Sequence, residues 1–397
     1  MVDIELLKRE FEGRFGSEGA GIMGQSQGLT AGSRGARGVY VAPGRINLIG
    51  EHTDYNGGFV FPGAVRQSIV AVVAANGTME VRAYAADLGQ EGCFSLESEE
   101  GPKETTFRYL YGVAKEMMAA GVAVEGFDVV YGGDVPLGAG MSSSAALECC
   151  IGTALNDIFA GGRLDKMTLA RIGQATEHKY VGVKCGIMDQ FISMHGREGS
   201  LVRLDCRNGE YEYFPWEPVG YSLLLVNSCV KHELVGSPYN DRRESCERVA
   251  AAAGMETLRD CSWEKLEELR PGLTDEDYRR ARYVLGERDR VIAVSEALKR
   301  GDYEEVGRQM YLTHEGLSKD YEVSCEEIDF LVDVARECGV TGSRIMGGGF
   351  GGCTINLVRN EEMEEFSRVV RERYKERFGR ECEVIEVEIG EGARREF

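Results

Sequence analysis

The chain has 397 residues, of which 43% are hydrophobic, and it carries a formal net charge of -20. This length exceeds one ordinary domain, and the apolar content is enough to build a sizeable core, which excludes disorder as the main state. The negative charge disfavours nucleic acid or an anionic membrane surface as the main partner. It does not exclude a phosphate ligand, because backbone amides and Mg²⁺ can hold phosphates inside an acidic protein.

Targeting and redox signals indicate a cytoplasmic protein. The longest apolar runs, such as residues 68–75 and 222–226, are too short to cross a bilayer, and residues 1–15 resemble neither a secretory signal nor a transit peptide. The twelve cysteines are scattered, Cys149 and Cys150 are adjacent, and no C-x-x-C motif occurs. We therefore expect reduced, mostly buried thiols and no structural zinc site.

Apolar periodicity and turn signals predict mixed strands and helices along the first half of the chain. A Gly- and Ser-rich loop without periodicity is expected over residues 17–38. The predicted helices are residues 3–15, 104–120, 142–159 and 166–181, and the predicted strands are residues 39–42, 45–50, 59–61, 67–74, 79–84 and 127–133.

Longer amphipathic helices follow residue 205, so we place a domain boundary there and expect an α+β arrangement on both sides. Thr274 and Asp277 resemble a capping box that opens a helix reaching about residue 299. The other predicted elements are strands at residues 221–227, 343–346, 353–358 and 382–389 and helices at residues 302–317, 325–338 and 361–378.

The first segment with chemical potential is GRINLIGEHTDYNGG, residues 44–58. Arg45 begins an apolar strand, and Glu51, His52 and Asp54 crowd its end before an Asn-Gly turn. Carboxylates accept hydrogen bonds from hydroxyl groups and histidine can donate or accept, so these residues could form a polyol-binding rim. The alternative is a solvated turn with an incidental ion pair.

The second segment is DVPLGAGMSSSAALE, residues 134–148, between a predicted strand and a buried helix. Its glycines let backbone amides face a ligand, and its serines supply hydroxyl groups at the helix N-terminus, where one could also reach Mg²⁺. The segment is not a Walker A loop, and the chain lacks a G-x-S-x-G nucleophile elbow. The alternative is a loop that only caps the helix.

The third segment is CGIMDQF, residues 185–191, where Asp189 lies among apolar residues. A carboxylate in such surroundings needs a partner, and pairing with Arg45 would keep Asp189 ionised and poised as a base. The alternative is a helix N-cap. Glu177, on the helix predicted over residues 166–181, could equally lie on a solvated helix face.

The fourth segment is GSRIMGGGFGGC, residues 342–353. Gly347, Gly349 and Gly352 match G-x-G-x-x-G, but they lie between two predicted strands and not between a strand and a helix. We therefore expect a glycine-rich hairpin that packs against another loop or approaches phosphates, and not a dinucleotide-binding fold.

Taken together, these segments resemble the galactokinases of the GHMP small-molecule kinase family, over about residues 39–390. Residues 44–58 are similar to the galactose signature, residues 136–146 to the phosphate-binding loop and residues 342–353 to the third glycine motif. The resemblance implies a two-domain α+β fold with the active site in the cleft. An N-terminal α/β domain over residues 1–205 would carry the first two motifs, and a C-terminal ferredoxin-like α+β domain over residues 206–397 the third.

The resemblance also implies residue roles. Asp189 and Arg45 would be catalytic, and Mg²⁺ would be held by Ser144 and Glu177. The positions that would bind galactose are Arg45, Glu51, His52, Thr53, Asp54, Gly186, Asp189 and Tyr239. The ATP phosphate loop would comprise Gly138, Ala139, Gly140, Met141, Ser142, Ser143 and Ser144. Met141, Phe61 and Gly348 depart from the usual family residues, but these apolar or small replacements change no chemical role.

The implied activity is transfer of the γ-phosphate of ATP to the C1 hydroxyl of α-D-galactose. The products are α-D-galactose 1-phosphate and ADP, in the first committed step of galactose catabolism, and the expected enzyme is a Mg²⁺-dependent cytoplasmic monomer. Two alternatives remain open: a kinase for another sugar such as N-acetylgalactosamine, and a non-catalytic galactose and ATP sensor.

Overall fold

The computed structural model describes residues 2–16, 37–136, 138–230 and 239–397. Nearly all of the loop predicted over residues 17–38 therefore lies outside the described residues. The strands are β1 Gly38–Asn47, β2 Phe59–Val60, β3 Pro62–Ala75, β4 Glu80–Ala85, β5 Gln90–Ser95, β6 Phe127–Gly133, β7 Ser200–Asp205, β8 Tyr211–Pro215, β9 Tyr221–Asn227, β10 Gly342–Met346, β11 Cys353–Arg359, β12 Glu383–Glu386 and β13 Arg394–Arg395.

Helices cover both faces of the sheets that these strands form. They are α1 Ile4–Phe15, α2 Thr105–Ala119, α3 Ser143–Ala160, α4 Lys166–Thr176, α5 Met188–His195, α6 Tyr239–Ala252, α7 Trp263–Leu269, α8 Asp275–Arg300, α9 Tyr303–Lys319, α10 Glu326–Glu337 and α11 Met363–Phe378. Within the described ranges, none of these helices is both long and apolar enough to span a membrane.

A six-stranded sheet with the order β13-β1-β3-β6-β4-β5 forms the first layer. Its strands pair antiparallel except β4 and β6, which are parallel. Because side chains alternate along a strand, Tyr40 and Ala42 of β1 face a core shared with α2 and α3, whereas Val39 and Val41 face α1. The sheet is thus buried on both sides, which explains the almost continuously apolar sequence of its central strands.

A four-stranded antiparallel sheet with the order β10-β11-β9-β12 forms the second layer, and β2-β7-β8 form a smaller sheet. Ile46, Leu48 and Phe61 share an apolar cluster with Leu225 of β9 and Val291 of α8. This cluster fixes the end of β1 against the second layer, so the first predicted motif lies where the two layers meet.

Residues on both sides of the boundary predicted near residue 205 share the small sheet, because β7 pairs with β8. The chain also returns at its end to the first sheet, where β13 pairs with β1. The division into residues 1–205 and 206–397 stays a prediction.

The predicted elements agree closely with the structure where the sequence is strongly periodic. The capping box is confirmed, since the Thr274 side chain accepts a hydrogen bond from the Asp277 amide at 3.0 Å. Several extents were wrong. The strands predicted over residues 39–42 and 45–50 form one strand, Gly38–Asn47, and the strand predicted over 67–74 begins at Pro62. The helix predicted over 166–181 ends at Thr176 and continues as a wider π-type turn over Glu177–Val181. The strand predicted over 382–389 is limited to Glu383–Glu386, because the following backbone turns to β3 and the Glu388 carbonyl accepts from the Arg66 amide.

A fully buried arginine connects the second layer to the end of β1. Arg344 of β10 donates to the Leu48 carbonyl at 3.0 Å, and both of its terminal nitrogens lie 3.2 Å from Oε1 of Glu51. Removing one member of a buried pair leaves the other charge without compensation, which costs far more than losing a surface pair.

We predict that Arg344→Met lowers the free energy of unfolding by about 3–5 kcal/mol, because Glu51 would remain buried without a cation. Chemical denaturation followed by circular dichroism measures this change. The matched control is Arg308→Met, which removes an exposed partner of Glu305 on α9 and should leave the midpoint nearly unchanged. Equal midpoints for the two variants would contradict the role assigned to Arg344.

Candidate active site

A cavity of about 610 Å³ lies between the six-stranded sheet and the glycine segment that links β10 to β11. Residues from all four segments singled out in the sequence contribute to its lining, including Arg45, Asp189, Ser144 and Gly347. Widely separated parts of the chain therefore converge on one cleft, as a binding or catalytic site requires.

The first motif reaches the cavity through a loop with unusual backbone angles. Gly50 has φ of 99° and His52 has φ of 61°, a region that residues with a side chain rarely adopt. Helix α8 holds this loop: Glu287 accepts a hydrogen bond from the Gly50 amide at 2.7 Å, and the Tyr283 hydroxyl donates to the Glu51 carbonyl at 2.9 Å. As a result Glu51 and His52 both line the cavity.

Glu51 also joins the first motif to the glycine segment over residues 342–353. Its Oε1 accepts from the Gly347 amide at 2.9 Å in addition to Arg344. Sequence reasoning missed Arg344. The signal was present, because an arginine within a short buried strand needs an anionic partner.

Arg45 and Asp189 form a bidentate ion pair at the centre of the cavity. Nε of Arg45 lies 2.8 Å from Oδ1 of Asp189, and Nη2 lies 2.9 Å from Oδ2. Arg45 is buried, whereas the Asp189 side chain is 28% exposed towards the cavity. Burial alone would lower the pKa of Arg45, but the Asp189 and Glu51 carboxylates raise it above its ordinary value. The guanidinium therefore stays charged.

The alternative role of Asp189 as a helix N-cap is wrong. Ile187 occupies the N-cap position of α5, and Asp189 lies in the first turn, where its oxygens bind Arg45 and accept from the Ser142 hydroxyl. Arg45 also donates through Nη1 to the Gly140 carbonyl. The Arg45–Asp189 pair is thus tied at two points to the predicted phosphate loop.

Asp54 lies beside this pair. It accepts from the Tyr55 amide at 2.9 Å, and its carboxylate packs directly on Gly186, where any side chain would overlap it. Burial raises the pKa of Asp54 to about 7, and the charge of Asp189 adds to the shift. The absence of a side chain at Gly186 therefore makes room for Asp54.

The predicted phosphate loop leads into the N-terminus of α3. Ser142, just before the helix, has φ of 57°, and Gly138, Gly140, Met141 and Ser143 line the cavity with it. The side chain of Ala139 belongs to the apolar core instead. The first amides of a helix have no intrahelical partner, and together with the positive end of the helix dipole they suit this loop to an anion.

The glycine segment over residues 342–353 packs against the phosphate loop. A side chain at Gly140 would lie 2.8 Å from the Met346 carbonyl, and one at Gly347 would lie 3.0 Å from the Gly140 carbonyl. The two backbones approach so closely that only glycine fits at these positions. The hairpin between β10 and β11 thus supports the phosphate loop, in agreement with the prediction of a glycine-rich hairpin that packs against another loop.

Ser144 and Glu177 are neighbours in the cavity. Burial raises the pKa of Glu177 to about 7, against a smaller opposing effect of the nearby Ser144 hydroxyl. Glu177 is only 6% exposed, so the alternative of a solvated helix face is wrong. No group of three or more His, Cys, Asp or Glu side chains in the described ranges could hold a metal ion by itself.

The remaining predicted positions differ in their placement. Tyr239, the first residue of α6, is buried and lines the cavity with its ring 5.4 Å from that of His52. Thr53 does not line the cavity. Its hydroxyl lies 2.8 Å from the Gly50 carbonyl and 2.6 Å from the Phe59 carbonyl, so Thr53 fastens the loop.

The opposite end of the cavity was not predicted. Helix α2 and strands β4 and β6 meet there, and the Thr106 and Tyr131 hydroxyls lie 2.8 Å apart. Leu88 and Ala85 complete this end, whereas Tyr109 packs with Val183 and Tyr239 nearer the middle of the cavity. These residues belong to separate elements with no shared motif, so nothing in the sequence could have grouped them.

Comparison with known proteins supplies the family. Residues 30–75 match the galactokinase galactose-binding signature, residues 108–197 match the N-terminal domain of GHMP kinases, and residues 294–376 match the C-terminal domain of GHMP kinases.

Whole-chain relatives agree. A galactokinase of Thermotoga neapolitana is 40% identical over 89% of this chain and 99% of its own length, and one of Bacillus subtilis is 36% identical over 98% and 99%.

Solved structures show the same relationship. A galactokinase of Lactococcus lactis, solved in complex with galactose, superposes with a TM-score of 0.88 at 29% identity and covers 99% of both chains. A mevalonate kinase of Methanococcus jannaschii, at 20% identity, covers 90% of this chain and 99% of its own with a TM-score of 0.63, and shares the fold. This chain belongs to the galactokinases of the GHMP kinase family.

Proposed function

We propose that this protein transfers the γ-phosphate of ATP to the C1 hydroxyl of α-D-galactose, giving α-D-galactose 1-phosphate and ADP. The observation that carries the proposal is the Arg45–Asp189 pair. It lies between a cluster of carboxylates on one side and the N-terminus of α3 on the other. The family signature over residues 30–75 and the galactose complex of the Lactococcus relative support galactose as the sugar.

The carboxylate side of the cavity suits a polyol. Glu51, Asp54 and Asp189 line the cavity and offer acceptor oxygens to hydroxyl groups, and the missing side chain of Gly186 leaves the room that the Asp54 carboxylate occupies. The wrong epimer would leave one of these carboxylates without its hydrogen bond. An unpaired buried carboxylate costs about 1–3 kcal/mol or more, so the site would reject that epimer. This arrangement supports selection between sugars that differ in one hydroxyl orientation.

The other side of the cavity suits the nucleotide. The loop over residues 138–144 points backbone amides and the dipole of α3 at the phosphates. Beyond it, Tyr131 and Leu88 form a partly apolar end for the base. The γ-phosphate would then lie next to Asp189.

The chemical step follows from these positions. Asp189 removes the proton from the C1 hydroxyl as the oxygen attacks the γ-phosphorus, and the bond to the bridging oxygen breaks as ADP leaves. Arg45 orients the carboxylate through two hydrogen bonds, and its buried positive charge stabilises the negative charge that develops nearby. Ser142 fixes the same carboxylate from the phosphate loop.

The residues present fit a magnesium ion. Mg²⁺ prefers oxygen ligands and commonly combines one or two carboxylates with substrate phosphates. The adjacent Ser144 hydroxyl and Glu177 carboxylate supply such oxygens at the start of α3. When bound there, the ion would neutralise charge on the phosphates of ATP.

We further propose a cytoplasmic monomer. All twelve cysteines are free thiols, which supports a reducing compartment. The side chains assigned to both substrates come from this one chain, so no second copy is needed to complete the cavity.

We predict that Asp189→Asn lowers kcat by roughly 10²–10⁴-fold, the usual contribution of a general base. Asparagine keeps the shape and can still accept a hydrogen bond from the C1 hydroxyl, so the Kd for galactose should change by less than about tenfold. Single-turnover phosphorylation and equilibrium galactose binding on the same protein measure the two effects. A kcat near that of the wild type would show that the base lies elsewhere.

We predict that Gly186→Ala raises the KM for galactose at least ~10-fold with a smaller effect on kcat, because the methyl group displaces the Asp54 carboxylate. Steady-state kinetics with galactose as the varied substrate measure the change. The matched control is Gly272→Ala, where the added methyl group meets no atom within 4 Å. An unchanged KM in Gly186→Ala would remove Asp54 from the sugar site.

We predict that Ser144→Ala and Glu177→Gln each raise the Mg²⁺ concentration for half-maximal turnover on the order of tenfold. Galactose affinity, measured by calorimetry without nucleotide, should stay nearly constant, because neither residue lies on the carboxylate side. If galactose affinity collapses while the metal requirement is unchanged, the metal assignment is wrong.

A further inference from the structure

A chain of hydrogen bonds runs behind His52, away from the cavity. Nδ1 of His52 lies 2.8 Å from the Tyr55 hydroxyl, which lies 2.8 Å from the Tyr321 hydroxyl. The Tyr321 hydroxyl lies 3.2 Å from Sγ of Cys246 on α6. Tyr321 and Cys246 are buried, so the chain ends in the core of the second layer.

The direction of these hydrogen bonds follows from acidity. A phenol is a stronger acid than a neutral imidazole N–H, and an imidazole nitrogen is a stronger base than a phenol oxygen. The favourable arrangement therefore has Tyr55 donating to Nδ1 of His52 and Tyr321 donating to Tyr55. The thiol of Cys246, a weak donor and acceptor, ends the chain.

The opposite ring nitrogen faces different surroundings. Nε2 of His52 is buried and makes no hydrogen bond of ordinary geometry to any residue that the structure describes. The backbone of Gly348 nevertheless favours a proton on the ring. With Nδ1 accepting from Tyr55, that proton belongs on Nε2.

The ring itself is neutral. Burial lowers the pKa of His52 to about 3, and the charges of Arg242 and Arg344 act in the same direction. Neutral imidazole carries one proton, so the hydrogen bond at Nδ1 decides what Nε2 can do.

We propose that Tyr55 and Tyr321 are positioning residues that hold His52 as the neutral Nε2–H tautomer and so fix the ring where it lines the sugar pocket. Without the Tyr55 hydroxyl the ring could adopt either tautomer and turn, which would change the surface that it offers to the sugar. The consequence for the sugar rests on the proposed function, whereas the tautomer does not.

The test measures the tautomer directly in the unliganded ¹⁵N-labelled protein. Long-range ¹H–¹⁵N correlation spectra distinguish protonated from bare ring nitrogens, and a His52→Gln spectrum identifies His52 among the five histidines. We expect a bare Nδ1 and a protonated Nε2 in the wild type. In Tyr55→Phe the Nδ1 signal should move towards that of a tautomer mixture. Galactose binding should weaken by roughly 5- to 20-fold, because the His52 ring that lines the pocket loses the hydrogen bond that fixes it.

Two further variants separate positioning from packing. Tyr321→Phe leaves Tyr55 able to donate to His52, so its effects on the Nδ1 signal and on galactose binding should be smaller but in the same direction. The control is Tyr311→Phe on α9. It deletes a hydroxyl that donates to the Val340 carbonyl at 2.8 Å. That variant should alter neither the His52 signals nor the affinity.

Two results would overturn the proposal: an Nδ1–H tautomer in the wild type, or an unchanged tautomer with unchanged affinity in Tyr55→Phe. If Tyr55→Phe does not fold, the wild-type spectrum and Tyr321→Phe still decide. A protein with the expected tautomer but no galactose phosphorylation would refute the proposed function and leave the tautomer assignment intact.

Discussion

The cavity holds more buried negative charge than it neutralises, and this imbalance governs the rest of the site. Arg45 pairs with Asp189 and Arg344 pairs with Glu51. Asp54 and Glu177 form no ion pair within the described ranges, and the pKa of each is raised to about 7, chiefly by burial. Such carboxylates are costly unless a ligand supplies protons or charge. Sugar hydroxyl groups and a metal ion would supply them.

Arg45 and Arg344 also connect the elements that surround the cavity. Arg45 connects the end of β1 to Asp189 on α5 and to Gly140, and Arg344 connects β10 to the backbone and carboxylate of the neighbouring loop. Each holds a carboxylate on the cavity surface while donating to backbone carbonyls. The same contacts therefore position reactive groups and join the layers, so changes in binding and in stability should often occur together.

Unusual backbone angles occur at the site itself. His52 and Ser142 have positive φ, and each is held from other elements: the loop around His52 by Glu287 and Tyr283, and Ser142 through Asp189. Such conformations persist only where the surrounding structure compensates for them. Here that structure includes helix α8, which explains why residues far along the chain support the loop around His52.

Much of this protein could be predicted from its sequence because the determining interactions are local. Apolar periodicity placed α3 and α8, the Thr274 capping box marked a helix start, and the crowding of Glu51 and Asp54 after an apolar strand indicated a polar rim. The family resemblance rested on contiguous motifs of the same kind. Asp189, surrounded in sequence by apolar residues, required a cation, and Arg45 was the partner inferred.

Only the tertiary structure decided which distant residues meet. The Arg344–Glu51 pair joins strand β10 to the loop that follows β1. The end of the cavity around Tyr131 is formed by α2, β4 and β6. The pi-type turn that carries Glu177 and the contact of Asp54 with Gly186 also depend on packing. Local sequence sets which conformations a segment prefers, whereas burial and charge compensation between segments select the one that is observed.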